Sequence, residues 1–103
     1  MADLTQPPDI DEALRRLIEQ PSYAAQVLIV FARMLELDAA ETATWTARRR
    51  AWEIATDAVL RELPEVVSCD SIQRAQGALP DLTGNITRGE AALRLRAAAR
   101  ALG

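Results

Sequence analysis

The sequence predicts an all-α protein, a small bundle of four or five helices in which the second helix is central. In several stretches, apolar residues recur with the period of a helix that packs on one face. Most of these stretches follow a Ser, Thr or Asp, often with Glu three residues later, a typical helix start. The chain has 103 residues and half of them are hydrophobic, which suits one domain with its own core.

The predicted domain covers the whole chain, 1–103. Residues 1–8 are polar and end in two prolines, so we expect a flexible N-terminal tail there. The first predicted helix begins at Asp9, a good N-cap, and stops at Pro21. Its apolar stripe consists of Ile10, Ala13, Leu14, Leu17 and Ile18.

The second predicted helix runs from Ser22 to about Leu37 and is the most apolar segment of the chain. Its apolar residues cover more than one face, which is typical of a helix that is central in a bundle or half covered by a partner. The run Val27–Phe31 also suits a buried strand, but the Ala, Met, Leu and Glu residues around it favour a helix.

The third predicted helix follows Asp38 as its N-cap and extends to Leu63. Threonines make its first turns irregular or a separate short helix, because Thr is a weak helix former. Trp45, Trp52 and Val59 repeat every seven residues, which places them on one face.

Two shorter helices complete the prediction. One covers about 65–76, and a loop from about 77 to 87, marked by Gly, Pro and Asn, separates it from a last helix that starts at Thr87. The residues expected to point inward from the first of the two are Val66, Val67, Ile72 and Ala75. The last helix has two stripes, for packing on two neighbours: Ala91, Leu95, Ala98, Ala99 and Leu102, and Leu93, Ala97 and Ala101.

The composition argues against catalysis. The chain has no His and no Lys, so the usual bases and the Schiff-base amine are missing. A single cysteine, Cys69, permits neither an internal disulfide nor a CxxC metal site, and its acidic neighbour does not activate the thiol. Pairs of carboxylates are interpreted as solvated surface. The sequence therefore predicts no enzyme activity, no metal and no cofactor.

The sequence also predicts a protein without a membrane segment. The longest unbroken apolar run, Val27–Ala32, is far shorter than the about 20 residues that cross a bilayer. The first residues lack the basic and apolar regions of a secretory signal, so we expect a cytoplasmic protein. All twelve cations are Arg and Ala is abundant, which suggests a GC-rich bacterial genome.

Our main functional hypothesis is a non-catalytic protein–protein interaction module: a homo-oligomer, small subunit, adaptor or inhibitor that docks a helical apolar face on a partner. The second and third predicted helices carry more apolar residues than one small core accommodates, and Trp is enriched at binding hot spots. A location of both tryptophans in the core is the simpler alternative. The candidate interface residues are Val30, Phe31, Met34, Trp45 and Trp52.

The alternative hypothesis is a nucleic-acid-binding regulator that uses the Arg-rich C-terminal helix. Residues 71–103 hold five Arg and two carboxylates, whereas residues 1–70 hold seven Arg and thirteen carboxylates. The net charge of −3 makes nucleic acid the less favoured partner, since phosphate binding needs a cationic surface. Pairing of these arginines with the acidic half of the chain explains them without a ligand. The candidate anion or nucleic-acid contacts are Arg88, Arg94, Arg96 and Arg100.

Overall fold

A computed structural model describes residues 21–103, in which the chain forms helices joined by short connections and one longer loop. The four helices are α1 (Tyr23–Glu36), α2 (Trp45–Glu62), α3 (Glu65–Gly77) and α4 (Arg88–Leu102). No strand occurs in this range, apart from one isolated bridge between Thr42 and Thr87. The predicted all-α class is thus confirmed over 21–103, with four helices. The predicted tail at 1–8 and the predicted helix at 9–20 lie outside the described residues.

Helix α1 has nearly the bounds that the sequence predicts. The Ser22 hydroxyl accepts a hydrogen bond from the Ala25 backbone N–H at 3.1 Å, so Ser22 is the expected N-cap. The helix packs against each of the other three described helices, and α4 packs only against α1 among them. Half of α1 is therefore buried: Ala24, Ala25, Val27, Leu28, Phe31, Ala32 and Leu35.

Helix α2 begins later than predicted, and Asp38 is not its N-cap. The helix starts at Trp45, and the N-cap is Thr44, whose hydroxyl accepts from the Ala47 backbone N–H at 3.1 Å. The residues between Asp38 and Thr44 do not join the helix because their backbone groups bond elsewhere in the chain.

Residues 39–43 form three backbone hydrogen bonds with residues 86–89, which we call the backbone ladder. Gly89 permits a close approach there, because a Cβ at this position would lie 3.2 Å from the Ala39 Cβ and 3.3 Å from the Ala39 carbonyl oxygen, which is a tight contact. The ladder fixes the α1–α2 connection against the start of α4. Its bonds run from Arg88 to Glu41 (2.7 Å), from Gly89 to Ala39 (2.9 Å) and from Ala43 to Ile86 (2.9 Å).

Helix α3 has the predicted length, but its inward face agrees with the prediction only in part: Ala75 is buried and Ile72 is partly buried, as predicted. Val66 is 82% exposed and Val67 also lies at the surface, whereas Ser68 and Ser71 are buried. The Ser68 hydroxyl donates to the Glu65 carbonyl at 3.0 Å, and the Ser71 hydroxyl donates to the Val67 carbonyl at 2.7 Å. Because both hydroxyls are satisfied within the helix, the small serine side chains pack inward at little cost.

Helix α4 begins as predicted and buries one of its two predicted stripes. The Thr87 hydroxyl accepts from the Glu90 backbone N–H at 3.1 Å. Ala91, Leu95 and Ala99 are buried, but the second stripe faces solvent, with Leu93 66% exposed. The prediction of two packed faces is wrong because α1 is the only described helix against which α4 packs.

Candidate functional site

The most aromatic surface in the described part of the chain is a groove of about 390 Å³ between α2 and the loop that follows α3. We call it the tryptophan groove. One wall is the first half of α2, and the other is the loop at 79–83. The lining residues are Phe31, Trp45, Arg48, Arg49, Trp52, Gln76, Leu79, Pro80, Asp81, Leu82 and Thr83.

Trp45 lies at the mouth of this groove and is 62% exposed. It is the first residue of α2, directly after the Thr44 N-cap, so the helix start fixes its backbone. One turn later, the Arg49 guanidinium carbon lies 5.2 Å from the centroid of the Trp45 ring. This cation–π contact orients the indole while leaving most of it in water.

Trp52 forms the inner part of the groove and is half-buried. Its ring meets the Phe31 ring edge to face, with centroids 5.6 Å apart and an interplanar angle of 61°. Phe31 itself belongs to the core, with 3% of its surface exposed. Trp45 and Trp52 thus line one groove, as their seven-residue spacing predicts, but only Trp45 presents a largely open ring.

The opposite wall comes from a loop that sequence analysis marked only as a break between helices. Leu79 and Pro80 line the groove, and Leu82 is buried with 6% of its surface exposed. Four apolar residues between Gly77 and Gly84 were the available signal, because a loop surrounded by water has no need for them.

Asp81, in the same loop, is held as a carboxylate. Its Oδ1 accepts hydrogen bonds from the Thr83 hydroxyl and from the Thr83 backbone N–H, the latter at 2.9 Å. These two bonds, in that order of importance, lower the pKa of Asp81, and the charges of Arg94 and Arg48 lower it further. The Asp81 carboxylate therefore organises the loop that forms this wall.

The structure separates the five predicted interface residues into three surfaces. Phe31, Trp45 and Trp52 line the tryptophan groove. Val30 lines a smaller apolar groove with Tyr23 and the end of α2. Met34 lines a third groove on the other side of α2, beside Leu37 and Ile54.

The first predicted nucleic-acid contact, Arg88, lies against the C-terminal end of α1. Its Nη2 donates to the Met34 carbonyl at 2.8 Å and its Nε donates to the Leu35 carbonyl at 3.0 Å. These carbonyls belong to the last turn of α1, where helix geometry leaves carbonyls short of partners, and the Leu35 carbonyl also accepts a long hydrogen bond from the Asp38 backbone N–H at 3.4 Å. With 18% of its side chain exposed, Arg88 closes the end of α1.

Arg96 and Arg94 are also engaged within the chain. Arg96 forms a two-bond ion pair with Glu36, at 2.6 Å and 3.0 Å. The Arg96 hydrogen bonds lower the pKa of Glu36, aided by the charges of Arg96 and Arg33. Arg94 donates to the Asp81 carbonyl at 2.9 Å and to Glu90 at 3.1 Å.

Arg100 is exposed, as Arg94 is. It forms no hydrogen bond or ion pair with any residue in 21–103, and it lines a groove between α1 and α4. The four arginines therefore do not form one cationic stripe, since three of them point to separate partners along α1, the loop and α4.

The described residues contain neither a membrane-spanning helix nor a metal-binding cluster. Between 21 and 103, no helix has both the length and the apolar character to cross a membrane. The described residues contain no cluster of three or more Cys, Asp or Glu side chains that could hold a metal ion. The Cys69 thiol is free and exposed on α3.

Comparison of the chain with models of protein families, with curated proteins and with solved structures finds no match.

Proposed function

We propose that this protein is a non-catalytic interaction module that docks on a protein partner, or on a second copy of itself, through the tryptophan groove. The observation that carries this proposal is Trp45, a large aromatic side chain that is 62% exposed at the mouth of an aromatic groove. Trp, Tyr and Arg dominate binding hot spots, and Trp45 with Arg49 supplies such a pair.

The surroundings of Trp45 support docking energetically. Burial of a Trp side chain removes roughly 150–250 Å² of mostly apolar surface from water. The Arg49 contact and the α2 helix start hold the ring in place, so little conformational entropy is lost when a partner covers it. Phe31 and Trp52 provide a rigid floor because they belong to or pack on the core.

We also propose that α1 is the central helix of the bundle. The contacts of α1 with the three other described helices support a central position for this helix, the second in the predicted order. A fifth helix at 9–20 stays a prediction from the apolar stripe of that segment.

The nucleic-acid alternative stays a prediction with less support. Arg88, Arg94 and Arg96 donate to groups of the protein itself, which leaves Arg100 as the predicted contact without a partner in 21–103. Binding to duplex DNA whose affinity falls steeply with salt would revive it, because phosphate contacts release counterions.

A Trp45→Ala variant tests the proposed function. We expect this variant to keep its helical circular dichroism spectrum but to lose association, because Trp45 contributes little to the core. Association is measured as solution mass by light scattering, and as recovery of a stoichiometric protein after capture of the tagged chain from a lysate of its source cells.

Leu93→Ala is the matched control, since Leu93 is as exposed as Trp45 but lies on α4, away from the groove. Loss of association in Trp45→Ala and retention in Leu93→Ala support the proposal. Equal association of the two variants with the unaltered chain, or capture that disappears with nuclease, contradicts it.

A further inference from the structure

The rim of the tryptophan groove carries hydrogen-bond donors that lack acceptors within the described residues. Arg48 donates through Nε to the Ala43 carbonyl at 3.2 Å, and neither of its terminal NH₂ groups bonds to a residue in 21–103. Arg49 has a 3.5 Å ion pair with Glu53 through Nε, with both side chains about 60% exposed, and its terminal NH₂ groups form no bond in that range either. Exposed pairs of this kind are weak and readily exchanged for a better partner.

The carboxylate in the groove does not use these donors. Oδ1 of Asp81 already accepts two hydrogen bonds from Thr83, and no hydrogen bond or ion pair links Asp81 to Arg48 or Arg49. The lining thus holds two cations and one carboxylate, which accepts its hydrogen bonds within its own loop and is influenced by Arg48 only through charge.

The start of α2 adds to this positive character. The first turn of α2 contains no acidic residue that would compensate the partial positive charge of the helix N-terminus. Trp45, in that turn, is thus flanked by Arg48, Arg49 and the exposed end of the helix dipole.

From this geometry we infer that the occupant of the tryptophan groove is an acidic protein segment, which places an apolar side chain beside Trp45 and carboxylates on Arg48 and Arg49. Guanidinium groups bind carboxylates with two parallel hydrogen bonds. The two arginines therefore favour an acidic partner, while the aromatic rings bury its apolar side chain. This inference rests on the proposed function and names the partner chemistry of the same groove.

Synthetic amphipathic peptides test the inference. Three 14-residue helical peptides share one leucine face and differ in their flanking residues, which are Glu, Gln or Lys; none contains Trp. Binding is followed by the tryptophan emission of the unaltered chain, which shifts to shorter wavelength when a peptide covers the exposed Trp45 ring. We expect the Glu peptide to bind about tenfold more tightly than the Lys peptide at low salt, with a smaller difference at high salt.

Substitutions at the rim of the groove test whether Arg48 and Arg49 cause the preference for the Glu peptide. Arg48→Gln with Arg49→Gln is expected to remove most of the preference for the Glu peptide, whereas Arg61→Gln is not. Arg61 is the matched control because it is an exposed arginine on the same helix, outside the groove.

The outcomes separate this inference from the proposed function. Equal binding of the three peptides would overturn the acidic partner and leave docking at Trp45 standing. If no peptide shifts the tryptophan emission while Trp45→Ala still abolishes association, the inferred chemistry is wrong and the proposed function survives. Failure of both experiments removes the docking role itself.

Discussion

At the scale of single residues, Arg88 shows how one side chain takes a role that its charge does not indicate. The sequence offered it as an anion contact because it belongs to an Arg-rich segment. In the fold its guanidinium lies against two carbonyls of the last α1 turn, and Asp38 is 3.7 Å from Nη1. A cation there also favours the negative end of the α1 dipole.

Replacement of Arg88 by Ala should lower the free energy of unfolding by about 1.5–3 kcal/mol, since hydrogen bonds from a charged donor are lost and two carbonyls are left without this partner. Urea unfolding followed by circular dichroism at 222 nm measures the change. Arg100→Ala is the control and should stay within about 0.5 kcal/mol, because Arg100 bonds to no residue in 21–103. Equal effects of the two substitutions would contradict the assignment of Arg88 to the end of α1.

At the scale of elements, the sequence predicted the presence of each described helix better than it predicted which face of the helix is buried. The N-caps Ser22 and Thr87 were recognisable because capping is local chemistry within four residues. The bounds of α2 were not, because hydrogen bonds to residues more than forty positions away hold the segment before it out of the helix. One wall of the tryptophan groove was predictable, because the seven-residue spacing of Trp45 and Trp52 places both on one face of α2. The other wall was not, because the position of the loop at 79–83 depends on tertiary packing.

Helix α3 shows the same limit, because hydrophobicity alone favours Val66 and Val67 as the inward residues. Two serines that bond to their own helix satisfy their polar groups and let α3 approach its neighbours, a solution that a hydrophobic pattern does not reveal.

The observed face of α3 is tested by a pair of substitutions. Ser68→Leu should cost about 1–3 kcal/mol of unfolding free energy, because Ser68 is fully buried and the larger side chain overpacks its site. Val66→Ser should change it by less than about 0.5 kcal/mol, because Val66 is 82% exposed. Both values come from chemical denaturation; the opposite order would restore the face predicted from the sequence.

At the scale of the whole molecule, α1 and α4, which have the most extensive mutual packing among the described helices, are also joined by an ion pair. Glu36 on α1 and Arg96 on α4 form the described ion pair with two short hydrogen bonds between helices. Its contribution depends on Glu36 being ionised.

Because the folded-state pKa of Glu36 lies below the ordinary value of 4.5, the Glu36–Arg96 pair stabilises the fold above that pH, and this stabilisation is lost as pH falls through the folded pKa. Both side chains are about one-third exposed, so we expect the pair to be worth only about 0.5 kcal/mol. Urea midpoints measured from pH 7 to pH 3 should therefore fall less steeply for Arg96→Gln than for the unaltered chain. Parallel curves would show that this pair does not contribute to acid sensitivity.

The backbone ladder has a consequence for the order of folding. It joins segments more than forty residues apart, so its closure costs loop entropy, which the packing of α4 on α1 helps to offset. The ladder ends one residue before the Thr44 cap that starts α2 with Trp45. We therefore expect the segment next to Trp45 to take its final position only after α1 and α4, which are distant in the chain, have met.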